Sequence, residues 1–138
     1  MKKTVLIMVV LILVVNLAGC GGGVAIDEGK ETFNAFLSCI ENEDYESAVA
    51  LSHPSAGITA DALRDYVEKV ENQASVDFSK GVSIDRITGF MSNFSTSGSS
   101  LEMEGNLIID AKSFSFRVVI SKNSNGYGVS NFSVSQTF

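Results

Sequence analysis

Leu101-Glu102-Met103-Glu104-Gly105-Asn106-Leu107-Ile108-Ile109, followed after Asp110-Ala111-Lys112 by Ser113-Phe114-Ser115-Phe116-Arg117-Val118-Val119-Ile120, is the stretch that decides the fold. Leu101, Met103, Leu107 and Ile109, then Phe114, Phe116, Val118 and Ile120, take every second place, with mostly polar residues between them. A period of two predicts two strands, each with one buried and one solvated face, joined by a short turn near Ala111-Lys112.

Working outward, Ser95-Thr96-Ser97-Gly98 and Asn123-Ser124-Asn125-Gly126 supply turn chemistry on either side. Strands are therefore expected at about 82–94, 99–110, 113–122 and 126–136, and connections this short make an antiparallel meander. Gly89 and Gly105 interrupt otherwise regular strands, which predicts a bend. Upstream the period changes. Phe33, Phe36, Leu37 and Ile40 fall at i, i+3, i+4, i+7, giving a first helix from about Asp27 to Glu41 with acids in its first turn. Asp44 can cap a short second helix through Leu51, which Pro54 ends near His53. Thr59 can cap a third through about Asn72, on which Leu63, Tyr66, Val67 and Val70 repeat the apolar stripe. The expected fold class is α+β: three N-terminal helices packed on the concave side of a curved, four-stranded antiparallel sheet that encloses a cone-shaped interior.

The chain has 138 residues, 45% of them hydrophobic, which suits one domain and not a disordered segment. Ten Lys+Arg against sixteen Asp+Glu give a net charge of −6, so no basic face is available for a phosphate backbone and nucleic acid is not an expected partner. Met1-Lys2-Lys3 precedes an unbroken apolar run from Val5 to Val15. A helix of that length rises only about 16 Å, which fits the core of a secretory signal better than a permanent span. Leu17-Ala18-Gly19-Cys20 resembles a bacterial lipobox, and Gly21-Gly22-Gly23 supplies a flexible tether behind it. The resemblance implies a signal peptide over residues 1–19, a lipidated Cys20 with its tether over 20–26, and one folded domain over 27–138. It implies export to the cell envelope and anchoring through Cys20, on the outer face of the cytoplasmic membrane or in an outer membrane. Loss of Lys2 and Lys3 with the signal would leave a domain of charge −8. Cys39 would then be alone and unable to form an internal disulfide.

The order helix, Asp44-Tyr45-Glu46-Ser47-Ala48, His53-Pro54, a helix opening at Thr59-Ala60-Asp61, four strands and a closing Asn125-Gly126-Tyr127-Gly128-Val129 resembles the nuclear-transport-factor-2-like superfamily. That superfamily includes ketosteroid isomerases and polyketide cyclases, and small lipoproteins of unknown function also carry its cystatin-like roll. Tyr127 stands where relatives often have Trp. The resemblance covers about residues 27–136 and implies a cone that enzymes of the group equip with an Asp or His base and a Tyr or protonated carboxyl donor. No residue-level match to such a motif is present; the available groups are His53, Tyr45, Tyr66, Asp61 and Asp65.

The histidine and the two aspartates have plainer explanations. His53, the only histidine, is expected as a helix-end residue favoured by the macrodipole. Asp61 and Asp65 fall on the polar face of the third helix. Cys39 is expected as a small packed residue. Glu41, Glu43, Asp44 and Glu46 lack the glycine and closing glutamate of a calcium loop, so no metal is expected, and no cofactor motif is present. Glu102 and Glu104 are expected to face solvent, and Ser92–Ser100 to form a hairpin tip or, alternatively, a binding loop.

The functional expectation is a lipid-anchored, non-enzymatic binding module. Its partner would be a small apolar or peptide ligand in the cone, lined by Phe33, Phe36, Tyr45, Tyr66, Phe90 and Phe116, or another envelope protein on the outer sheet face. An isomerase- or cyclase-type enzyme and a homodimeric scaffold are the alternatives. A buried carboxylate in the cone would favour the enzyme. An apolar patch around Ile87, Ile108 and Val119 would favour a protein interface. The anchor has its own test: the intact mass of the membrane-extracted chain exceeds that of residues 20–138 by at least a diacylglyceryl group, and Cys20→Ser abolishes the excess. An unmodified cysteine would sink the anchor.

Overall fold

Two of the three helices begin where a side-chain oxygen takes up an otherwise unsatisfied amide. The computed structural model describes residues 23–136; the expected signal segment, Cys20 and the first two tether glycines lie outside them. Helix α1 (Ile26–Glu41) buries Phe33, Phe36, Leu37, Cys39 and Ile40 along one stripe. Helix α2 (Tyr45–Ala50) is capped by Asp44, which accepts from the Ser47 amide, and α3 (Ala60–Ala74) by Thr59, which accepts from the Ala62 amide. Helix α3 ends on Ser75 in the left-handed region, where the Lys112 ammonium donates to the carbonyls of Ala74 at 3.0 Å and Ser75 at 3.4 Å.

Strands β1 (Val82–Ser95), β2 (Gly98–Ile109), β3 (Lys112–Asn123) and β4 (Gly126–Gln136) form one antiparallel meander in the order β1-β2-β3-β4. The sheet is open, not closed into a barrel. The turn between β2 and β3 sits one residue earlier than expected: Ile109 pairs with Lys112, and Asp110-Ala111 make the turn with φ of 48° and 64°. Two successive positive φ values match the twist of the flanking strands, and here non-glycine residues supply them.

The bend comes from β1. Ile84 pairs with Leu107 but Arg86 with Asn106, and Ile87 pairs with Gly105 but Gly89 with Glu104, so Asp85 and Thr88 are extra residues in two bulges. These bulges keep Val82, Ile84 and Ile87, spaced by two and then three, on the core side. Gly105 lies between them at a close backbone approach, because a Cβ there would stand 2.0 Å from the Arg86 carbonyl oxygen. Gly89, also expected to mark the bend, has open space where a Cβ would go, so the bend does not require it.

Ile87 consequently faces the core, not the outer face where it was expected. Ile108 and Val119, which do lie on the outer face, are separated by an ion-paired group in which Arg117 meets Glu102 at 3.1 Å and Glu104 at 2.6 Å. No continuous apolar patch joins those three residues. On the concave side Leu101, Met103, Leu107, Ile109, Phe114, Phe116, Val118 and Ile120 are all buried beneath α1 and its neighbours.

The helical half is tied to the outer edge of β4 by backbone. The His53 amide donates to the Val129 carbonyl at 2.8 Å and the Val129 amide to the Leu51 carbonyl at 2.9 Å, so Ser52 bridges Val129 as a one-residue strand. Gly128 makes this possible: a Cβ there would stand 2.5 Å from the Leu51 carbonyl oxygen. At the same place Ser130 is an extra residue, since Val129 pairs with Ile120 and Asn131 with Val119.

The two strand glycines are predicted to behave oppositely. Gly105→Ala drives a methyl group into backbone and costs about 3 kcal/mol in urea unfolding, whereas Gly89→Ala stays within about 0.5 kcal/mol of the parent. Equal costs would refute the assignment of the bend to Gly105.

Candidate functional site

A group of aromatic rings sits between α1, α3 and the sheet, among the aliphatic side chains of the core. Phe33 on α1 meets Phe116 on β3 with ring centroids 5.0 Å apart, and both are buried. Phe132 on β4 touches three rings: Phe33 at 5.7 Å, Phe36 at 5.5 Å edge-on and Tyr66 at 6.3 Å edge-on. Such tilted and edge-on pairs satisfy the ring quadrupoles as well as burying area. Inside the expected cone, then, is a packed aromatic cluster with Phe132 at its hub.

A cleft of about 230 Å³ remains at the rim of the cluster, lined by Phe36, Gly57, Ile58, Ala62, Leu63, Tyr66 and Phe132. It lies where α3 and the segment before it meet β4. Tyr66 is its one hydroxyl. That oxygen accepts from the Val134 amide on the outer edge of β4 at 2.9 Å, which leaves the phenolic proton for another acceptor. No carboxylate, imidazole or amine lines the cleft.

The six pocket residues expected from sequence are therefore not one group. Phe36 and Tyr66 line the cleft, and Phe33 and Phe116 pack in the core beside it. Tyr45 is buried between α2 and α3, with the Arg64 guanidinium 5.3 Å above its ring, and burial raises its hydroxyl above the ordinary value. Phe90 is exposed on β1. Phe132 and Ile58 were missed. A strict alternation along β4 cannot place both Val129 and Phe132 on the core side; the bulge at Ser130 does.

His53 also differs from expectation. It is buried at the start of the 3-10 turn Pro54–Ala56, not at the C-terminus of a helix. Its Nδ1 accepts from the Ser55 amide at 3.0 Å, so the neutral ring carries its proton on Nε2, which donates to the Asn123 side-chain oxygen at 3.0 Å. Both nitrogens are thus committed to holding the turn against the β3–β4 hairpin. Asp61 is exposed and pairs with Arg64 at 3.0 Å, and Asp65 is exposed. Glu71, whose carboxyl is raised by burial, accepts from the Phe78 amide at 2.9 Å and fastens the end of α3 to the following 3-10 turn. Among the described residues no group of three or more His, Cys, Asp or Glu is placed to hold a metal ion.

A broad, open basin lies between the tips of the β1–β2 and β3–β4 hairpins, lined by Phe94–Ser99 and Lys122–Asn125. The expected hairpin tip at Ser92–Ser100 forms one wall, with a two-residue turn at Thr96-Ser97.

No protein-family model matches the chain, and no curated protein matches it. Among solved structures it is similar to a provisionally assigned dehydratase of the nuclear-transport-factor-2-like family from Streptomyces avermitilis, at 14% identity. The match covers 82% of this chain and 96% of that one with a TM-score of 0.48. The α+β architecture is defined by this chain's own three helices and four-stranded meander.

A buried thiol and a half-buried phenol make stability depend on pH. Burial pushes the Cys39 thiol from 9.0 to about 11, helped by the nearby Asp44 carboxylate. Burial likewise lifts the Tyr127 hydroxyl from 10.0 to about 12, against the lowering effect of its 2.8 Å hydrogen bond with Thr32. Above pH 9 the unfolded chain gives up the thiol proton while the folded chain keeps it, so the unfolded state binds fewer protons and stability falls as pH rises. The predicted loss runs from about pH 9 to 11 for Cys39 and on toward pH 12 for Tyr127. In urea titrations Cys39→Ala flattens the first part of that decline, whatever it costs at pH 7. An unchanged slope in Cys39→Ala would remove the thiol as its cause.

Proposed function

We propose that this chain is a lipid-anchored cell-envelope protein whose domain, a nuclear-transport-factor-2-like roll, holds a small apolar ligand in the cleft between α3 and β4. The observation that carries the reading is the lining of that cleft: Phe36, Ile58, Leu63 and Phe132 around a single hydroxyl, with no charged group. Ligand sites are commonly built this way, with apolar walls and few polar groups that fix orientation. At about 230 Å³ the space is smaller than the roughly 300–1,000 Å³ of typical drug-sized sites, so it suits an aromatic ring or a short acyl segment. Tyr66 would donate its proton to a carbonyl or ether oxygen of that ligand.

The order of three helices and four strands, the concave apolar face and the bulged edge strand support the superfamily reading. The Leu17-Ala18-Gly19-Cys20 stretch behind its apolar run supports the anchor. Isomerase- or cyclase-type chemistry gains no support from the cleft, where no side chain is suited to act as a proton-abstracting base. A protein partner on the outer sheet face gains none from the Glu102–Arg117–Glu104 group that divides Ile108 from Val119.

Native mass spectrometry of the chain, released gently from its own membrane, is predicted to show a discrete small-molecule adduct. Ala62→Trp, which puts an indole into the cleft from an exposed helix position, loses the adduct and keeps the thermal midpoint within a few degrees. An adduct that survives Ala62→Trp, or no adduct on the parent chain, overturns the cleft as the binding site.

A further inference from the structure

We infer that the end of the domain bearing Ile26, Phe90 and Phe94 rests against the bilayer that holds Cys20, with these side chains at the headgroup boundary. The inference builds on the anchor reading and adds the orientation of the domain. Ile26 and Phe90 are each 43% exposed and Phe94 is 74% exposed, an unusual outlay of large apolar surface for one end of a small domain. Phe90 and Phe94 pair with Met103 and Ser99, which places both on the helix-bearing side of β1. Phe94 reaches Gly23: a Cβ on that glycine would stand 2.1 Å from the ring.

Chain length then decides what covers the patch. Only Gly21 and Gly22 separate Cys20 from Gly23, and three extended residues span at most about 11 Å. Acyl chains on Cys20 would therefore bring the membrane surface to within a few side-chain lengths of Phe94. The tether removes most of the entropy of association, so even three apolar side chains suffice to select an orientation. Lys30, whose ammonium lies 5.8 Å over the Phe90 ring, is placed to reach lipid phosphates while its stem stays on apolar surface. Asp27 and Glu31, exposed on the same turns of α1, make the contact apolar in origin and independent of anionic lipid. The alternative occupant is a second copy, since the distal half of β1, Gly89–Ser95, is an outer strand without a charged residue.

The test uses the full acylated chain in phosphatidylcholine vesicles, carrying a bimane on Phe94→Cys or, as the reference, on Ser133→Cys of the outer sheet face. Buried Cys39, its thiol raised to about 11, stays unlabelled. The expected result is loss of bimane fluorescence at position 94, and none at 133, when the lipid carries bromine on its acyl chains. Equal fluorescence at both positions in a chain whose intact mass includes the diacylglyceryl group overturns the orientation and leaves the anchor standing. Shielding at position 94 that brominated lipid does not quench, and that grows with protein density, assigns the patch to a second copy and also overturns it. A chain without the added mass removes the anchor, and this inference with it.

Discussion

Everything on the concave side depends on one contact between backbones, the approach of the Arg86 carbonyl to Gly105 in the bulged part of β1. A side chain there would force the two strands apart and flatten the sheet. With the bend in place, Leu101 and Met103 on one side of Gly105 and Leu107 and Ile109 on the other curve around α1, and all four are buried. The same cross-strand row carries Phe116, the ring against which Phe33 packs. Each fully buried phenyl is worth about 2–3 kcal/mol relative to exposure, so filling the interior with rings stabilises the domain at the expense of an open cavity. The cleft beside Tyr66 is what the packing leaves, because Phe132 is only partly covered.

The second joint is the seam between residues 51–53 and Val129. The residues of the closing Tyr127-Gly128-Val129 stretch each have a local physical role there. Tyr127 bonds Thr32 on α1, Gly128 lets the Leu51 carbonyl come close, and Val129 completes the ladder. His53 closes the arrangement by holding Ser55 and Asn123 at once. A buried imidazole with both nitrogens occupied is a structural strut, and a lone histidine next to proline gives no sign of this in the sequence because both its partners are set by tertiary packing.

Local signals carried far. Period-two alternation placed β2 and β3 to within a residue or two, and Asp44 and Thr59 cap the helices assigned to them. The bulges were harder. Val82, Ile84 and Ile87 are spaced by two and then three, a rhythm that only a bulge reconciles with one buried face, so alternation alone cannot put Ile87 on the core side where it lies. The same failure of phase hid Phe132. The candidate site was accordingly only half legible: Phe36 and Tyr66 announce themselves on helical stripes, whereas Ile58 in a loop and Phe132 past a bulge join them only once the chain has folded.

The two outer strands are treated differently. Along β4 the edge is held at Val129 by residues 51–53 and at Val134 by the Tyr66 hydroxyl, whereas the distal half of β1 has no such cover among the described residues. A sheet with one covered and one open border is a terminated lattice. Copies that met along the uncovered half of β1 would pair edge to edge about a two-fold axis, while the strap at Val129 and the Tyr66 hydroxyl at Val134 interrupt the β4 border where a further strand would have to add.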